Sequence, residues 1–126
     1  MVEGFLDRMN SVTKVDTNKI PWIDLVIPEL SAVIKSKPCI IDDDTGMSVA
    51  KVCYPAGFTN VSHTHNCAHG MFVLDGILVT SEGNFGPGEF VWFPEGQVMT
   101  HGAQIDNDVT FLFITNKPFD VNYVHS

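Results

Sequence analysis

Turn-forming residues interrupt this sequence at short intervals along most of its length. Clusters such as Asp42–Gly46, Pro55–Gly57 and Phe85–Gly88 recur roughly every eight to twelve residues. The apolar runs between them have the length of strands, and no helical period recurs after residue 10. The spacing therefore predicts roughly seven to nine short strands in an all-β sandwich or barrel.

Residues 1–19 do not share this pattern. Val2, Phe5, Leu6 and Met9 recur at helical spacing, which predicts a short amphipathic helix over residues 2–10. Residues 11–19 are polar and are predicted to form a linker. A chain of 126 residues is long enough for one hydrophobic core. We therefore predict an N-terminal helix and linker at 1–19 and a single β-barrel domain at 20–126.

Charge and cysteine content limit the classes of partner and compartment. Seven basic residues against fifteen acidic ones give a net charge of −8, which disfavours nucleic acid and anionic membrane surfaces, because both attract clustered positive charge. The N-terminus lacks the apolar segment of a signal peptide, and the three cysteines form no CxxC pair. We therefore expect a cytoplasmic protein with reduced thiols and without a nucleic-acid or membrane partner.

Two shorter signals predict where strands end. Lys37-Pro38 separates the apolar runs 32–35 and 39–41, because proline cannot donate a hydrogen bond within a sheet. Asp75-Gly76 follows the run 71–74 and precedes the run 77–80, which is a typical signal for a two-residue hairpin between paired strands.

Histidines are concentrated where two of these predicted strands meet. Of five histidines, His63, His65 and His69 lie close together and His101 lies in a later strand-like segment. Alternate residues of a strand share one face, so His63 and His65 can converge on one ion. With His69 and His101 they would supply four neutral nitrogen ligands. A polar pocket lined by histidines, without metal, is the alternative.

The same residues carry a family resemblance. The first motif of the cupin superfamily, G-x5-H-x-H-x3-E-x6-G, resembles the segment formed by Gly57, His63, His65, His69 and Gly76. The second motif, G-x5-P-x-G-x2-H-x3-N, is similar to the segment that contains Gly88, Pro94 and Gly96. The resemblance covers about residues 45–115 and implies a cupin-type jelly-roll barrel.

Two departures from the motifs affect the expected site. His69 stands where most cupins have a glutamate, and His101 comes two residues after the expected position, which is occupied by Met99. The resemblance implies that His63, His65, His69 and His101 bind one divalent transition metal per chain, either Fe, Mn, Zn or Ni. An all-imidazole set leaves the charge of the ion uncompensated, which favours an anionic chelating ligand.

A narrower resemblance links the segments 93–101 and 111–115 to anti-sigma-factor cupins, acetylacetone dioxygenase and 2,4′-dihydroxyacetophenone dioxygenase. The all-histidine first motif also resembles small four-histidine manganese cupins. These resemblances imply an oxygenase that acts on a small chelating carbonyl or phenolic compound. The alternatives are a non-catalytic sensor of metals or small molecules and a metal-dependent isomerase or lyase. Residues 1–19 are short for a sigma-binding domain, which favours the enzyme.

The walls of a substrate pocket should come from inward-facing residues near the histidines. The candidate wall residues are Tyr54, Met71, Met99, Phe111 and Phe113, although core packing is the default interpretation for each of them. Small cupins often pair through edge strands, which protects those edges from aggregation. We therefore also expect a homodimer.

Overall fold

The computed structural model describes residues 12–119 and 121–123. The predicted N-terminal helix at 2–10 lies outside these residues. The described chain is built almost wholly of short strands, joined by turns and one 3-10 helix, Pro28–Leu30. The strands, numbered β1 to β11 in chain order, are Ile23–Ile27, Ala32–Ile41, Ser48–Tyr54, Thr59–His65, His69–Asp75, Leu78–Thr80, Gly83–Phe85, Phe90–Phe93, Met99–Ala103, Val109–Thr115 and Val121–Tyr123.

The strands form two antiparallel sheets. One has the order β1-β2-β3-β10-β5-β8 and the other has the order β11-β4-β9-β6-β7. Neighbours within a sheet are often distant in sequence, as in β3 beside β10 and β4 beside β9, which is the arrangement expected of a jelly roll. The predicted all-β fold is confirmed. Within the described residues, no helix is long and apolar enough to cross a membrane.

The core contains inward-facing side chains from both sheets. Strand alternation explains the pattern, since β10 buries Val109 and Phe111 completely and leaves the intervening Thr110 partly exposed. Burial of large apolar side chains stabilises the fold by about 1.5–3 kcal/mol for each one. The cluster consists of Val52, Tyr54, Phe58, Met71, Val73, Leu78, Phe93, Met99, Ala103, Val109 and Phe111.

Both local strand predictions were wrong. Strand β2 runs through Pro38, where the register against β3 shifts between Pro38 and Ile40. Pairing between β1 and β2 ends at Ser36. No β1 residue therefore lies opposite Pro38 to accept the hydrogen bond that proline cannot donate. At Asp75-Gly76 the chain leaves one sheet for the other, so β5 and β6 are not paired. Gly76 has a φ of +81°, but a turn residue does not specify which sheet receives the next strand.

Candidate metal centre

Strand β4 places His63 and His65 on one face, as their spacing predicts. Both side chains are buried, and their ring centroids are 4.7 Å apart with the planes almost perpendicular. The neighbouring strand β9 adds His101, whose ring centroid is 4.6 Å from that of His63. One ring nitrogen from each of these three residues lies within 4.8 Å of the others. The structure therefore brings together imidazoles that are far apart in the sequence.

His101 lies two residues after the position expected from the second motif, yet it joins this group. Residues 99 and 101 are on the same face of β9, because strand side chains alternate with a period of two. Met99, at the expected position, pairs with His63 in register and is buried in the core. The histidine of the second motif is therefore displaced by two residues along β9 and stays on the same face of the strand.

His69 begins β5 and lies beside the other three histidines. Its ring centroid is 4.5 Å from that of His65 and 6.0 Å from that of His101. The group of nitrogens within 4.8 Å does not include His69. Both of its ring nitrogens are buried and have no hydrogen-bond partner among the described atoms. Two nitrogens without partners are costly to bury, so His69 has a nitrogen available to coordinate a metal ion.

Burial also determines the protonation of these rings. Desolvation, followed by the neighbouring His65 and His63, lowers the pKa of His69 to about 3. Burial and the other three histidines lower the pKa of His101 well below its usual value. Both imidazoles are therefore neutral at neutral pH, which is the form that binds metals.

A hydrogen bond fixes the orientation of His101. The hydroxyl of Tyr54 on β3 lies 2.8 Å from His101 Nδ1, and the two rings stack with centroids 5.7 Å apart. With Nδ1 occupied in this way, Nε2 faces His63. Metal-binding histidines commonly use one nitrogen for the metal and the other for such a hydrogen bond. Tyr54 is therefore placed to support a ligand.

The separation of two nitrogens fits a shared ion. His63 Nε2 and His101 Nε2 are 3.0 Å apart. Two nitrogens bound to one ion at about 2.1 Å would be about 3.0 Å apart in neighbouring octahedral positions and about 3.4 Å apart in a tetrahedron. All three rings are buried and the His101 ring is neutral. This distance and the grouping within 4.8 Å therefore fit a transition metal held by His63, His65 and His101.

An apolar cavity of about 520 Å³ adjoins the group at His101. This volume lies within the usual range for small-molecule pockets. Most of the wall is hydrocarbon, and the polar residues include Ser36, Tyr54 and Asn60. The lining residues are Leu25, Val26, Ile27, Pro28, Glu29, Ile34, Ser36, Ser48, Ala50, Val52, Tyr54, Phe58, Asn60, His101, Phe113 and Phe119.

The predicted pocket residues divide into two sets. Tyr54 and Phe113 line the cavity. Met71, Met99 and Phe111 do not line it, and all three are fully buried. These three side chains belong to the hydrophobic core cluster instead.

Sequence reasoning missed Asn60 as a cavity residue. Strict alternation along β4 places residue 60 on the face opposite His63. The register against β9 shifts between Asn60 and His63, and this β-bulge lets both residues face inward. The apolar contribution of β1 to the cavity was missed as well, since it depends on sheet order.

Comparisons with known proteins agree with this architecture. Residues 10–120 match the family model of the ChrR cupin-like domain. No curated protein matches the chain. An acetylacetone dioxygenase candidate from Methylibium petroleiphilum is 13% identical, with a TM-score of 0.75 over 91% of this chain and 82% of its own.

Two further solved structures have the same fold. A sugar phosphate isomerase of the cupin superfamily from Silicibacter pomeroyi is 22% identical, with a TM-score of 0.68 over 90% of this chain and 82% of its own. The complex of Rhodobacter sphaeroides SigE with the anti-sigma ChrR gives 17% identity and a TM-score of 0.63, over 79% of this chain and 51% of that one. At such identities the likeness establishes the fold alone. The family match over most of the sequence shows more: this chain belongs to the ChrR cupin-like domain family of cupins.

Proposed function

We propose that this protein is a mononuclear metal enzyme of the oxygenase type, acting on a small chelating carbonyl or phenolic compound. One observation carries the proposal: His101 belongs to the buried histidine group and also lines the apolar cavity. A compound bound in the cavity therefore reaches the metal position directly. When bound, the metal would supply Lewis-acid chemistry and a place for O2.

The proposed ligands are His63, His65 and His101, with His69 as the fourth. His69 is included because its buried nitrogens lack hydrogen-bond partners and its ring lies beside His65. The metal is one divalent ion per chain, either Fe, Mn, Zn or Ni. Neutral imidazoles do not neutralise the charge of the ion, which favours a ligand that binds as an enolate or phenolate.

The protein itself would bind and orient the substrate and exclude water from it. The cavity walls, including Val52, Phe58 and Phe113, offer hydrocarbon contacts. Glu29 lines the cavity but is exposed, and Glu95 forms an exposed ion pair with Lys117. We therefore propose that no protein carboxylate serves as general base, and that the substrate releases its proton to bulk water as it binds.

Metal analysis of the purified protein tests the site. We expect about one equivalent of a transition metal per chain, and less than a tenth of that after the double change His63→Ala and His65→Ala, because half of the ligands are lost. Thr64→Ala, on the same strand and between the two, is the matched control and should keep its metal. Unchanged metal content in the double variant would refute the site.

Oxygen uptake then tests the reaction. The iron-loaded protein should consume O2 when acetylacetone or an aryl ketone is added, and the double histidine variant should not. Consumption of such a substrate without O2 uptake would instead favour the isomerase or lyase alternative, which the sugar phosphate isomerase of the same fold makes reasonable.

A second candidate function is a non-catalytic sensor of metals or small molecules. The family match favours it, since ChrR is an anti-sigma protein solved in complex with SigE. Tightly bound zinc with no turnover of any chelating ketone would support the sensor against the oxygenase. For either function we propose a cytoplasmic homodimer with a small-molecule ligand.

A further inference from the structure

Asn60 is a buried polar residue that belongs neither to the buried histidine group nor to the hydrophobic core cluster. Only 6% of its surface is exposed, and its Oδ1 atom has no hydrogen-bond partner among the described atoms. A buried acceptor without a partner destabilises a fold, because its lost hydration is not replaced. A buried acceptor of this kind calls for an explanation, such as a bound water or a functional role.

The position of Asn60 connects it with the cavity and the histidines. It lines the cavity and is directly opposite His101 in the β4–β9 register. Residues opposite each other in an antiparallel pair have Cβ atoms about 4.5–5.5 Å apart. A molecule in the cavity that reaches the metal position at His101 therefore also passes Asn60.

The β-bulge explains why an amide occupies this place. Asn60 and His63 are three positions apart on β4, whereas their partners His101 and Met99 are two positions apart on β9. Without the extra residue on β4, Asn60 and His63 would point to opposite sides of the sheet. The bulge thus places a hydrogen-bonding side chain in the largely apolar cavity wall, close to the buried histidine group.

We propose that Asn60 determines ligand specificity by accepting a hydrogen bond from an O–H group next to the metal-binding oxygen of the ligand. The unpartnered atom is an acceptor, so its complement is a donor. The χ2 torsion of asparagine is broad, so the amide can turn towards the cavity. This inference rests on the proposed function, and it narrows the ligand class to hydroxylated ketones with an apolar body.

Two ketones that differ in one O–H group test the proposal. The probes are 2-hydroxyacetophenone and 2-methoxyacetophenone, titrated calorimetrically under argon into nickel-loaded protein, so that neither is oxidised. The wild type should bind the hydroxyketone about tenfold more tightly, as expected for one buried hydrogen bond. Asn60→Leu should remove this preference by weakening the hydroxyketone about tenfold and leaving the methoxyketone unchanged.

Controls separate recognition from folding. Thr59→Val removes an exposed polar group from the neighbouring residue of β4 and should keep the preference. If Asn60→Leu does not fold, Asn60→Ala provides the same comparison. An unchanged preference, or an equal loss for both ketones, would overturn the proposal and leave Asn60 as a residue that binds only water.

The same titration on metal-free protein separates this inference from the proposed function. The hydroxyketone should still bind more tightly than the methoxyketone, with lower affinity for both, and Asn60→Leu should still abolish the difference. A wild type that binds no metal would refute the metal centre, whereas the preference in metal-free protein would continue to support Asn60. Loss of that preference in wild-type apoprotein would count against Asn60.

Discussion

At the scale of single residues, Tyr54 both lines the cavity and contacts the buried histidine group. Its hydroxyl contacts His101 Nδ1, while its ring packs on Phe58 and Phe111 at centroid distances of 4.7 and 4.8 Å. When His101 Nε2 binds a metal, Nδ1 carries the proton and its N–H donates a hydrogen bond to the Tyr54 oxygen. The tyrosine is therefore placed to support the tautomer of His101 that can coordinate a metal through Nε2.

Replacing Tyr54 by phenylalanine should separate this role from packing. Tyr54→Phe keeps the ring contacts but removes the acceptor for His101, and we expect metal affinity to fall about 10–100-fold. A chelator competition titration measures the change. Ser48→Ala is the matched control, since it removes a 2.8 Å hydrogen bond to Thr115 from the same strand, and it should leave metal affinity unchanged. Equal effects of the two changes would contradict a special role for Tyr54.

At the scale of strands, local sequence patterns explain part of the site. The period of two along a strand correctly places His63 and His65 together, and it also explains how His101 joins them from a displaced position. The bulge that turns Asn60 inward leaves no local sequence signal, because it depends on pairing with β9. The path after Asp75 likewise depends on which sheet has room for the next strand, so its turn residues could not predict it.

The β4–β9 pair also depends on one glycine. Gly102 lies next to His101, and a Cβ there would overlap the carbonyl oxygen of Phe58 and lie 2.8 Å from the Cα of Thr59. Both are backbone atoms and cannot move without separating the strands. We therefore expect Gly102→Ala to destabilise the protein by about 1–3 kcal/mol, as overpacking typically does.

The same change should weaken metal binding, since separating β9 from β4 moves His101 away from His63. Urea unfolding and the chelator titration measure the two effects. Gly86→Ala is the matched control, because the nearest atom to its Cβ would be a side-chain methyl of Ile77 at 3.3 Å, and it should have little effect on either. Normal stability and metal affinity in Gly102→Ala would contradict both expectations.

At the scale of the whole molecule, the jelly roll assembles the site from distant parts of the chain. Strands β4 and β9 supply the three converging histidines, β5 supplies His69, and β1, β2 and β3 supply much of the cavity wall. Turn spacing predicts such a fold class because it sets the number and length of strands. It does not predict that β1 lies at a sheet edge and borders the cavity, since that follows from sheet order.

The edge strand β1 presents an apolar surface that a second copy of the chain would cover. Ile23, Leu25 and Val26 are all exposed, Val26 by 67%, and the outer backbone edge of β1 pairs with no other described strand. Exposed apolar edges of this kind tend to pair with another chain. Pairing through β1 would also enclose one side of the cavity, because Leu25 and Val26 line it.

We therefore expect light scattering at micromolar concentration to give about twice the chain mass of 13.9 kDa. Val26→Lys should shift the protein to monomer, because pairing would bury an unpaired charge at the edge. Ile105→Lys is the control, since Ile105 is 89% exposed and lies outside β1, and it should remain dimeric. If the wild type is a monomer, β1 is not a dimer interface. If both variants stay dimeric, the chains pair through another surface and the cavity is open on the β1 side.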